Sequence, residues 1–323
     1  MFYLLFAGLV SLSSQPKVTV ANYLDNCRAA VSYTFDDGLL CQYTELFPQL
    51  QKYGIKATFA ICGQPIDQFE EHLKRTGNDT TGFSKPRMTW NMIKEISNAG
   101  HEISSHGWAH KNVTTIDGEE LRYEVQHNDS AIWYHTGHFP LTYCFPGNRK
   151  SADKVAYVEQ GRVAARIKQI SIGSKRDYKW LHDWVRDLID EGEWGVGMTH
   201  GISSGYDHFK NPDVLWRHFA DIQNLRDKLW IAPLCDVAAY IKERNNVHIK
   251  VKKHGDGYMI IPKMTLDKHI FREPLTLIVK GKVTQAEQDG HPLRVKNKGI
   301  ISLINIQPDR GKIYMELFAK HIK

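Results

Sequence analysis

The sequence of 323 residues lacks the features of a disulfide-rich, membrane-spanning or repeat protein. Its five cysteines are odd in number, scattered and without a Cys-x-x-Cys pair, so they predict no disulfide framework. The apolar run at residues 1–14 is too short to cross a bilayer, and we predict no integral membrane segment. No internal repeat or low-complexity linker is evident. What remains is the pattern of an ordinary globular protein.

The apolar start of the chain, residues 1–16, is typical of an export signal, because a Phe-, Leu- and Val-rich run is followed by small residues. The basic residue that usually precedes such a run is missing, and no Ala-x-Ala cleavage site stands out. The alternatives are a mis-assigned start or an N-terminal strand. With an export signal, the protein is expected to be extracellular or periplasmic.

The composition suits one large α/β domain with a small second domain. Hydrophobic residues make up 42% and charged residues 24%, which allows a normal core. From residue 246 onward there are 15 basic and seven acidic side chains. Such a tail favours an acidic glycan or an anionic surface, although a merely soluble, lysine-rich surface is the simpler interpretation. We predict no nucleic-acid partner, and the pattern favours no particular oligomeric state.

Strand-like and helical patterns alternate up to about residue 244, which predicts parallel β/α units. The segment 64–87 is polar and irregular, and we predict a surface loop there. Beyond residue 245, short strand-like runs between Gly, Asp and Pro predict a small all-β domain. We therefore divide the chain into an export signal at 1–16, an α/β domain at 17–245 and a β-rich accessory domain at 246–323.

Two adjacent carboxylates, Asp36 and Asp37, end an apolar run that begins at Ala30. A buried strand would deliver both acids to its carboxyl end, where ligands gather in α/β proteins, and Gly38 would let the chain turn away. Because Asp-Gly is also a common turn dipeptide, a plain turn is the alternative.

Three histidines extend this pattern. His106 and His110 are four residues apart, a spacing that puts both imidazoles on one face of a helical turn and suits a divalent metal. His200 ends another strand-like run, Trp194 to Thr199. Two carboxylates, a His-x-x-x-His pair and a late histidine rarely occur together by chance.

Together these residues resemble the NodB-homology polysaccharide deacetylases, carbohydrate esterase family 4. Thr34 to Gly38 matches the first motif in every letter, His106 to His110 matches the second with one departure, and Met198 to His200 resembles the fifth. The resemblance covers roughly residues 29–244. It implies a distorted, incomplete (β/α) barrel of the polysaccharide deacetylase type, to which the small C-terminal all-β domain is added.

Asp37, His106 and His110 supply one oxygen and two nitrogens, and three protein ligands with an open position suit a hydrolytic zinc site. The resemblance implies this same Asp-His-His triad. The expected cofactor is therefore a divalent metal, Zn²⁺ first, with Co²⁺ or Ni²⁺ as alternatives.

The resemblance also implies roles for neighbouring groups. Asp36 would be the general base, and His200 the general acid that protonates the leaving amine. The backbone N–H of Gly147 would stabilise the oxyanion, with a plain structural turn as the alternative. Asp183 weakly resembles the aspartate that orients the acid histidine, and a solvated helix surface explains it equally well.

Two departures from the family pattern alter the expected support of the site. Gly107 replaces the usual Ser or Thr after the first metal histidine, which removes a loop hydrogen bond. Cys144 stands where many relatives have the arginine that orients the base. We hypothesise that Arg166 replaces that arginine, and Arg149 is the alternative.

The resulting hypothesis is a metal-dependent hydrolase that removes N-acetyl, or alternatively O-acetyl, groups from an acetylated glycan. One alternative is hydrolysis of another C–N amide on the same scaffold, and another is a non-catalytic glycan-binding protein. The intact set of acids and histidines argues against a decayed site. Trp108, Met198 and Tyr206 are candidate walls for an acetyl group or sugar ring, or else core residues.

Overall fold

The computed structural model describes residues 15–318, so nearly all of the predicted export signal at 1–16 lies outside the described residues. Two compact units are present. The first consists of residues 22–246 and 266–273, and the second of the described residues up to 21 together with 247–265 and those from 274 onward. Strand β1 (Val18–Val20) pairs antiparallel with residues 277–279. Residues 17–21, which the sequence assigned to the α/β domain, therefore belong to the second unit.

The first unit is built on one parallel sheet. Its strands are β2 (Ala29–Asp36), β3 (Thr58–Ile61), β4 (Glu102–Ser105), β5 (Thr142–Tyr143), β6 (Ala164–Ala165), β7 (Ile170–Ser171), β8 (Trp194–Thr199) and β9 (Leu229–Ile231). Their order is β6-β5-β4-β3-β2-β8-β7, and β9 pairs with the first half of β2. Strands β6 and β7 form the two edges of the sheet and do not pair with each other, so the barrel stays open. The predicted incomplete (β/α) barrel is confirmed.

Strand β2 is the centre of this sheet, and every one of its residues is buried. Its register aligns Asp36 with Ala60 of β3, and Phe35 with Thr199 of β8. Parallel alignment brings the carboxyl ends of strands that are distant in sequence to one edge of the barrel. The site residues follow these ends.

Helices cover the sheet and bury apolar faces against it. They are α1 (Phe47–Tyr53), α2 (Gly63–Thr76), α3 (Trp90–Asn98), α4 (Gly118–Arg122), α5 (Asn128–Thr136), α6 (Ala152–Val158), α7 (Tyr178–Glu191), α8 (Asp213–Ile222) and α9 (Leu234–Asn246). Two π-helical turns, Gln42–Leu46 and Tyr123–His127, precede α1 and join α4 to α5. None of the helices in residues 15–318 has the length and apolar character needed to span a membrane.

The prediction of a loop over 64–87 is wrong for its first half, which forms α2. Ile66 and Phe69 are buried at helical spacing, while the residues around them are polar and exposed or half-buried. Two apolar anchors in a long polar segment give a weak periodic signal. The helix ends where Gly77 takes a left-handed conformation, as helix C-caps commonly do.

The second unit consists of two antiparallel sheets, in accord with the predicted all-β domain. Its remaining strands are β10 (His248–His254), β11 (Gly257–Lys263), β12 (Leu275–Lys280), β13 (Val283–Gln288), β14 (His291–Pro292), β15 (Val295–Lys298), β16 (Ile301–Ile306) and β17 (Ile313–Leu317). The sheet orders are β1-β12-β16-β15 and β10-β11-β17-β13-β14.

A segment beyond the predicted boundary at 245 completes the first unit. Residues 266–273 return to it, where Ile270 and Phe271 pack on a cluster that includes Ala164 and Ala238. The backbone N–H of Glu273 donates to Oε1 of Glu243 at 2.8 Å. This segment therefore belongs structurally to the α/β unit.

Candidate active site

Asp37, His106 and His110 meet at the carboxyl edge of the barrel. The Nε2 atoms of His106 and His110 lie 3.6 and 3.5 Å from Oδ1 of Asp37. One ligand atom from each residue lies within 4.8 Å of the others, and this is the single group of that kind within residues 15–318. The spacing predicted that the two histidines would share a helical turn, but this prediction is wrong. The residues between them form a loop in which Gly107 and His110 have positive φ.

The first histidine is held by the neighbouring strand. Nδ1 of His106 lies 2.7 Å from the carbonyl oxygen of Cys144, which can only accept a hydrogen bond. Nδ1 therefore donates a hydrogen bond to this oxygen, and Nε2 faces the cluster. This Nε2 and Oδ1 of Asp37 are buried without a hydrogen-bond partner among the described residues. Buried acceptors of this kind need a partner, and a divalent cation fits both.

Asp37 follows β2 with a φ of 76°. Nη1 of Arg87 donates to its backbone carbonyl at 2.7 Å and lies 3.7 Å from Oδ2. Burial alone would raise the pKa of this carboxyl, but His106, Arg87 and His110 hold that pKa below its ordinary value. Asp37 is thus a carboxylate in the fold. No sequence pattern points to Arg87, because this residue lies at the end of a long irregular segment.

The neighbouring acid, Asp36, is paired with Arg166 inside the barrel. Nη1 donates to Oδ1 at 2.7 Å and Nη2 to Oδ2 at 2.6 Å, while Nη1 also donates to Oγ1 of Thr34 at 2.8 Å. Both Asp36 and Arg166 are only 2% exposed. Burial would raise the pKa of Asp36, but the guanidinium outweighs it and lowers that pKa. Arg149, the alternative partner, is exposed near the turn after β5.

Cys144 cannot substitute for the missing positive charge. Burial raises the pKa of its thiol to about 12, so the side chain is neutral. Its Sγ lies 3.5 Å from Oγ of Ser104 within the barrel. The cation that faces Asp36 comes instead from the end of β6, one strand further along the sheet.

His200 directly follows β8, which pairs with β2. A buried side chain that sequence reasoning missed, Gln42, joins the two: its Nε2 donates to the carbonyl oxygens of Asp36 at 2.6 Å and of His200 at 2.8 Å. The ring of His200 is edge-on to the ring of Tyr206, 4.9 Å away. Its Nδ1 has no hydrogen-bond partner among the described residues. Asp183 is on the exposed face of α7, where it pairs with Lys179, so it is solvated helix surface.

The remaining predicted residues differ in how exposed they are. Gly147 lies in an exposed turn just beyond β5, with a φ of 58°. Trp108 and Met198 are buried, which makes them core residues rather than groove walls. Tyr206 is 73% exposed and lines a cavity of about 300 Å³ that begins at Asp37. Leu39 and Lys85 line the same cavity.

An open parallel barrel with carboxylates and imidazoles at the carboxyl ends of its central strands has the arrangement of a barrel enzyme. A sequence profile described as "Polysaccharide deacetylase" matches residues 24–164. This match covers Asp36, Asp37, His106, His110 and the turn of Gly147. These matched residues, which are less than half of the chain, are similar to the polysaccharide deacetylase family, the NodB-homology or carbohydrate esterase family 4 proteins.

Two curated relatives are similar over part of their length. A peptidoglycan-N-acetylglucosamine deacetylase of Bacillus cereus is 25% identical over 114 residues, which are 35% of this chain and 34% of that protein. A chitin deacetylase of Pestalotiopsis is 26% identical over 152 residues, or 45% of each chain. The matched region therefore spans less than half of either relative.

A solved structure shares the fold. A candidate polysaccharide deacetylase from Mycobacterium smegmatis superposes with a TM-score of 0.51 at 16% sequence identity. The superposition covers 71% of this chain and 94% of that one. At this identity the likeness concerns the fold.

Proposed function

We propose that this protein is a metal-dependent hydrolase that removes N-acetyl groups from a carbohydrate in the extracellular or periplasmic space. The observation that supports it most is the pairing of Asp36 with Arg166 directly beside the Asp37, His106 and His110 cluster. A buried, oriented carboxylate next to a set of metal ligands is what a hydrolytic site requires.

Asp37, His106 and His110 would hold the ion, with Zn²⁺ as the first expectation and Co²⁺ or Ni²⁺ as alternatives. When bound, the ion would supply the Lewis acidity that activates water and polarises the acyl carbonyl. The protein's own contribution is orientation, because the bond from His106 to the Cys144 carbonyl fixes the ring and its tautomer.

Asp36 acts as the general base in this proposal. It accepts a proton from the attacking water as the water oxygen bonds to the acetyl carbon. Arg166 binds both carboxylate oxygens from the side, which fixes the rotamer and favours the ionised form before the reaction. The role that other family members give to a residue at the position of Cys144 is thus transferred to Arg166.

His200 acts as the general acid. It gives a proton to the amide nitrogen as the C–N bond breaks, so that acetate and a free amine leave the site. The N–H of Gly147 would donate to the oxyanion that forms on the acyl oxygen. Gln42 supports this geometry because it ties together the backbones of the base and the acid.

The proposed substrate class is supported by the two relatives, which are described as peptidoglycan-N-acetylglucosamine and chitin deacetylases. Both descriptions favour an N-acetylated amino sugar. The groove at Asp37, with Tyr206 exposed on its wall, offers an aromatic face for a sugar ring.

Acetate release from a panel of substrates tests the proposal. The panel contains N-acetylated chitooligosaccharides and peptidoglycan, an O-acetylated xylan and a small acetamide, each incubated with the Zn²⁺-loaded protein. We expect release from the N-acetylated glycans, and a loss of at least ~100-fold in Asp36→Asn. Release from the acetamide alone would instead indicate a different amide hydrolase. No release from any substrate by a metal-loaded protein would favour glycan binding without catalysis.

A further inference from the structure

Two metal-ligating histidines of the proposed site differ in how they are held. The His106 ring is anchored through Nδ1 to the carbonyl of Cys144. Among residues 15–318, the His110 ring approaches Asp37 and makes an edge contact with His106 at 4.9 Å, and no such anchor is present. The side chain of His110 is 42% exposed. Its position must therefore be set by its own backbone.

That backbone is unusual and is held by one buried carboxylate. His110 has a φ of 58°, a left-handed conformation that is strained for a non-glycine residue. The N–H groups on either side of it both point to Glu124. Ala109 donates to Oε1 and Oε2 at 3.0 Å each, and Lys111 donates to Oε1 at 2.8 Å. The carbonyl of Glu124 also accepts from the N–H of Trp108 at 2.8 Å.

Gly107 leaves the room for this carboxylate. A Cβ at position 107 would lie 2.6 Å from Oε1 of Glu124, closer than any real contact allows, and the glycine has a φ of 77°. Glu124 is only 1% exposed. The Glu124 carboxylate thus fills the space that a side chain at position 107 would need.

The π-helical turn Tyr123–His127 places Glu124 at the loop. The next buried polar residue, Asn128, bonds the backbone at the end of β3. Its Oδ1 accepts from the N–H of Gly63, and its Nδ2 donates to the carbonyl of Ile61. Such turns recur at functional sites because they redirect side chains within a helix. Glu124 in this turn and Asn128 directly after it bring two buried polar side chains to the segments that follow β3 and β4.

We propose that Glu124 is the positioning residue for the second metal histidine: its carboxylate binds the N–H groups that flank His110 and holds the ring in the ligating position. The proposal rests on the proposed metal site. In the family pattern, the hydroxyl of a Ser or Thr at position 107 is expected to bond the loop. Here the bonds to the loop come from Glu124, which lies in a helical turn outside the motif.

The test measures metal affinity and amide exchange in the full chain. Glu124→Gln keeps the shape but presents an amide that cannot accept all three N–H bonds. We expect Zn²⁺ binding, measured by competition with a chromogenic chelator, to weaken by roughly 10- to 100-fold. Glu120→Gln is the matched control, since Glu120 is exposed and bonds only the side chain of Lys111. It should bind Zn²⁺ like the parent.

Hydrogen exchange without metal separates this proposal from the proposed function. In Glu124→Gln, the amides of Ala109 and Lys111 should exchange faster than in the parent and in Glu120→Gln. If both amides stay equally protected, or if Zn²⁺ affinity is unchanged in a folded variant, Glu124 does not position the loop. A parent that releases no acetate would overturn the proposed function and leave this exchange result intact.

A double-mutant cycle tests whether a side chain at position 107 and the Glu124 carboxylate compete for the same space. Gly107→Ala should weaken Zn²⁺ binding more in the parent than in Glu124→Ala, because the clash requires the carboxylate while the backbone strain is common to both. Equal effects in the two backgrounds would refute the complementarity. Should Glu124→Gln fail to fold, Glu124→Asp, which withdraws the carboxylate by one methylene, should show the same faster exchange at smaller amplitude.

Discussion

At the scale of single residues, the positive charge beside Asp36 comes from a different strand than the family motif predicts. The family motif would put a cation at position 144, but a neutral thiol stands there and the guanidinium comes from Arg166. Arg166 can do this because its long side chain extends from the end of β6 through the barrel interior to Asp36. Its Nη1 atom uses Thr34 as a second anchor.

The Arg166→Met variant should retain the metal and lower kcat by roughly 10- to 100-fold, because it removes a partner that orients the base. Arg166 lowers the pKa of Asp36, so without it that pKa rises. The acidic limb of the pH–rate profile should therefore move to higher pH. Arg149→Met is the control, and an altered profile in that variant, with Arg166→Met unchanged, would transfer the role to Arg149.

The proposed metal ligands give a second prediction at this scale. Chelation should abolish acetate release, and Zn²⁺ or Co²⁺ should restore it. His106→Ala and His110→Ala each remove one of three ligands, so both should bind Zn²⁺ far more weakly in equilibrium dialysis. Either variant binding Zn²⁺ as tightly as the parent would mean that the ligand assignment is wrong. His208→Ala, an exposed or half-buried histidine outside the cluster, serves as the control.

At the scale of elements, strand ends and the π-helical turns decide the geometry of the site. The turn Gln42–Leu46 places the buried amide of Gln42 between β2 and β8. It therefore links the carboxyl ends of two neighbouring strands, where the proposed base Asp36 and the proposed acid His200 lie. One side chain thus sets how the two ends lie relative to each other.

Gln42→Met should lower kcat by roughly 10- to 100-fold with little effect on Zn²⁺ affinity, because the strand ends shift while the ligands stay in place. The measurement is a comparison of kcat and of the Zn²⁺ dissociation constant with those of the parent. Gln223→Met is a matched control, since that amide also bonds a backbone carbonyl, at Phe219. Equal losses in both variants would indicate a general effect on stability.

The sequence predicted the elements whose signal is local. The acids after β2, the histidines after β4 and the strand into His200 were placed at one edge from pattern and resemblance, and the open barrel is confirmed. The supports Arg87, Gln42 and Glu124 are not predictable from the sequence, because they bond the backbone of other segments and such contacts leave no periodic pattern. Helix α2 was missed because only two of its buried side chains are large and apolar.

At the scale of the whole molecule, the two units are interleaved along the chain. The α/β unit needs residues 266–273, although the chain has by then already formed β10 and β11. A domain boundary drawn at residue 245 would cut this segment away from the surface on which it packs.

Phe271→Ala in the full chain should lower Tm by about 4–8 °C, from a loss of about 2 kcal/mol for a half-buried ring. Thermal unfolding followed by circular dichroism measures this. Tyr134→Ala, which truncates a ring that is 79% exposed on α5, should leave Tm nearly unchanged. Equal, small shifts in both variants would show that the segment 266–273 contributes little to the unit.

The same segment predicts a pH dependence of stability. Burial, and then the nearby Asp236 and Glu243, raise the pKa of Glu273 from 4.5 to about 8. A raised pKa means that the contribution to stability is full below pH 4.5 and is lost as the pH rises to 8. Glu273→Gln should therefore have a higher Tm than the parent at pH 8.5, with the difference shrinking at pH 5. Glu191→Gln, an exposed acid of the same unit, should show no such trend.

The pairing of β1 with β12 determines an order of events during synthesis. Val18–Val20 leave the ribosome early, but their partners Leu277–Val279 follow only after every residue of the α/β unit. Contacts this distant along the chain close late, and N-terminal segments wait for them. Until then β1 presents an unpaired edge, the kind of surface on which chains associate wrongly. The nascent chain can thus complete its barrel before β1, which is made ahead of the α/β unit, meets its partner strand.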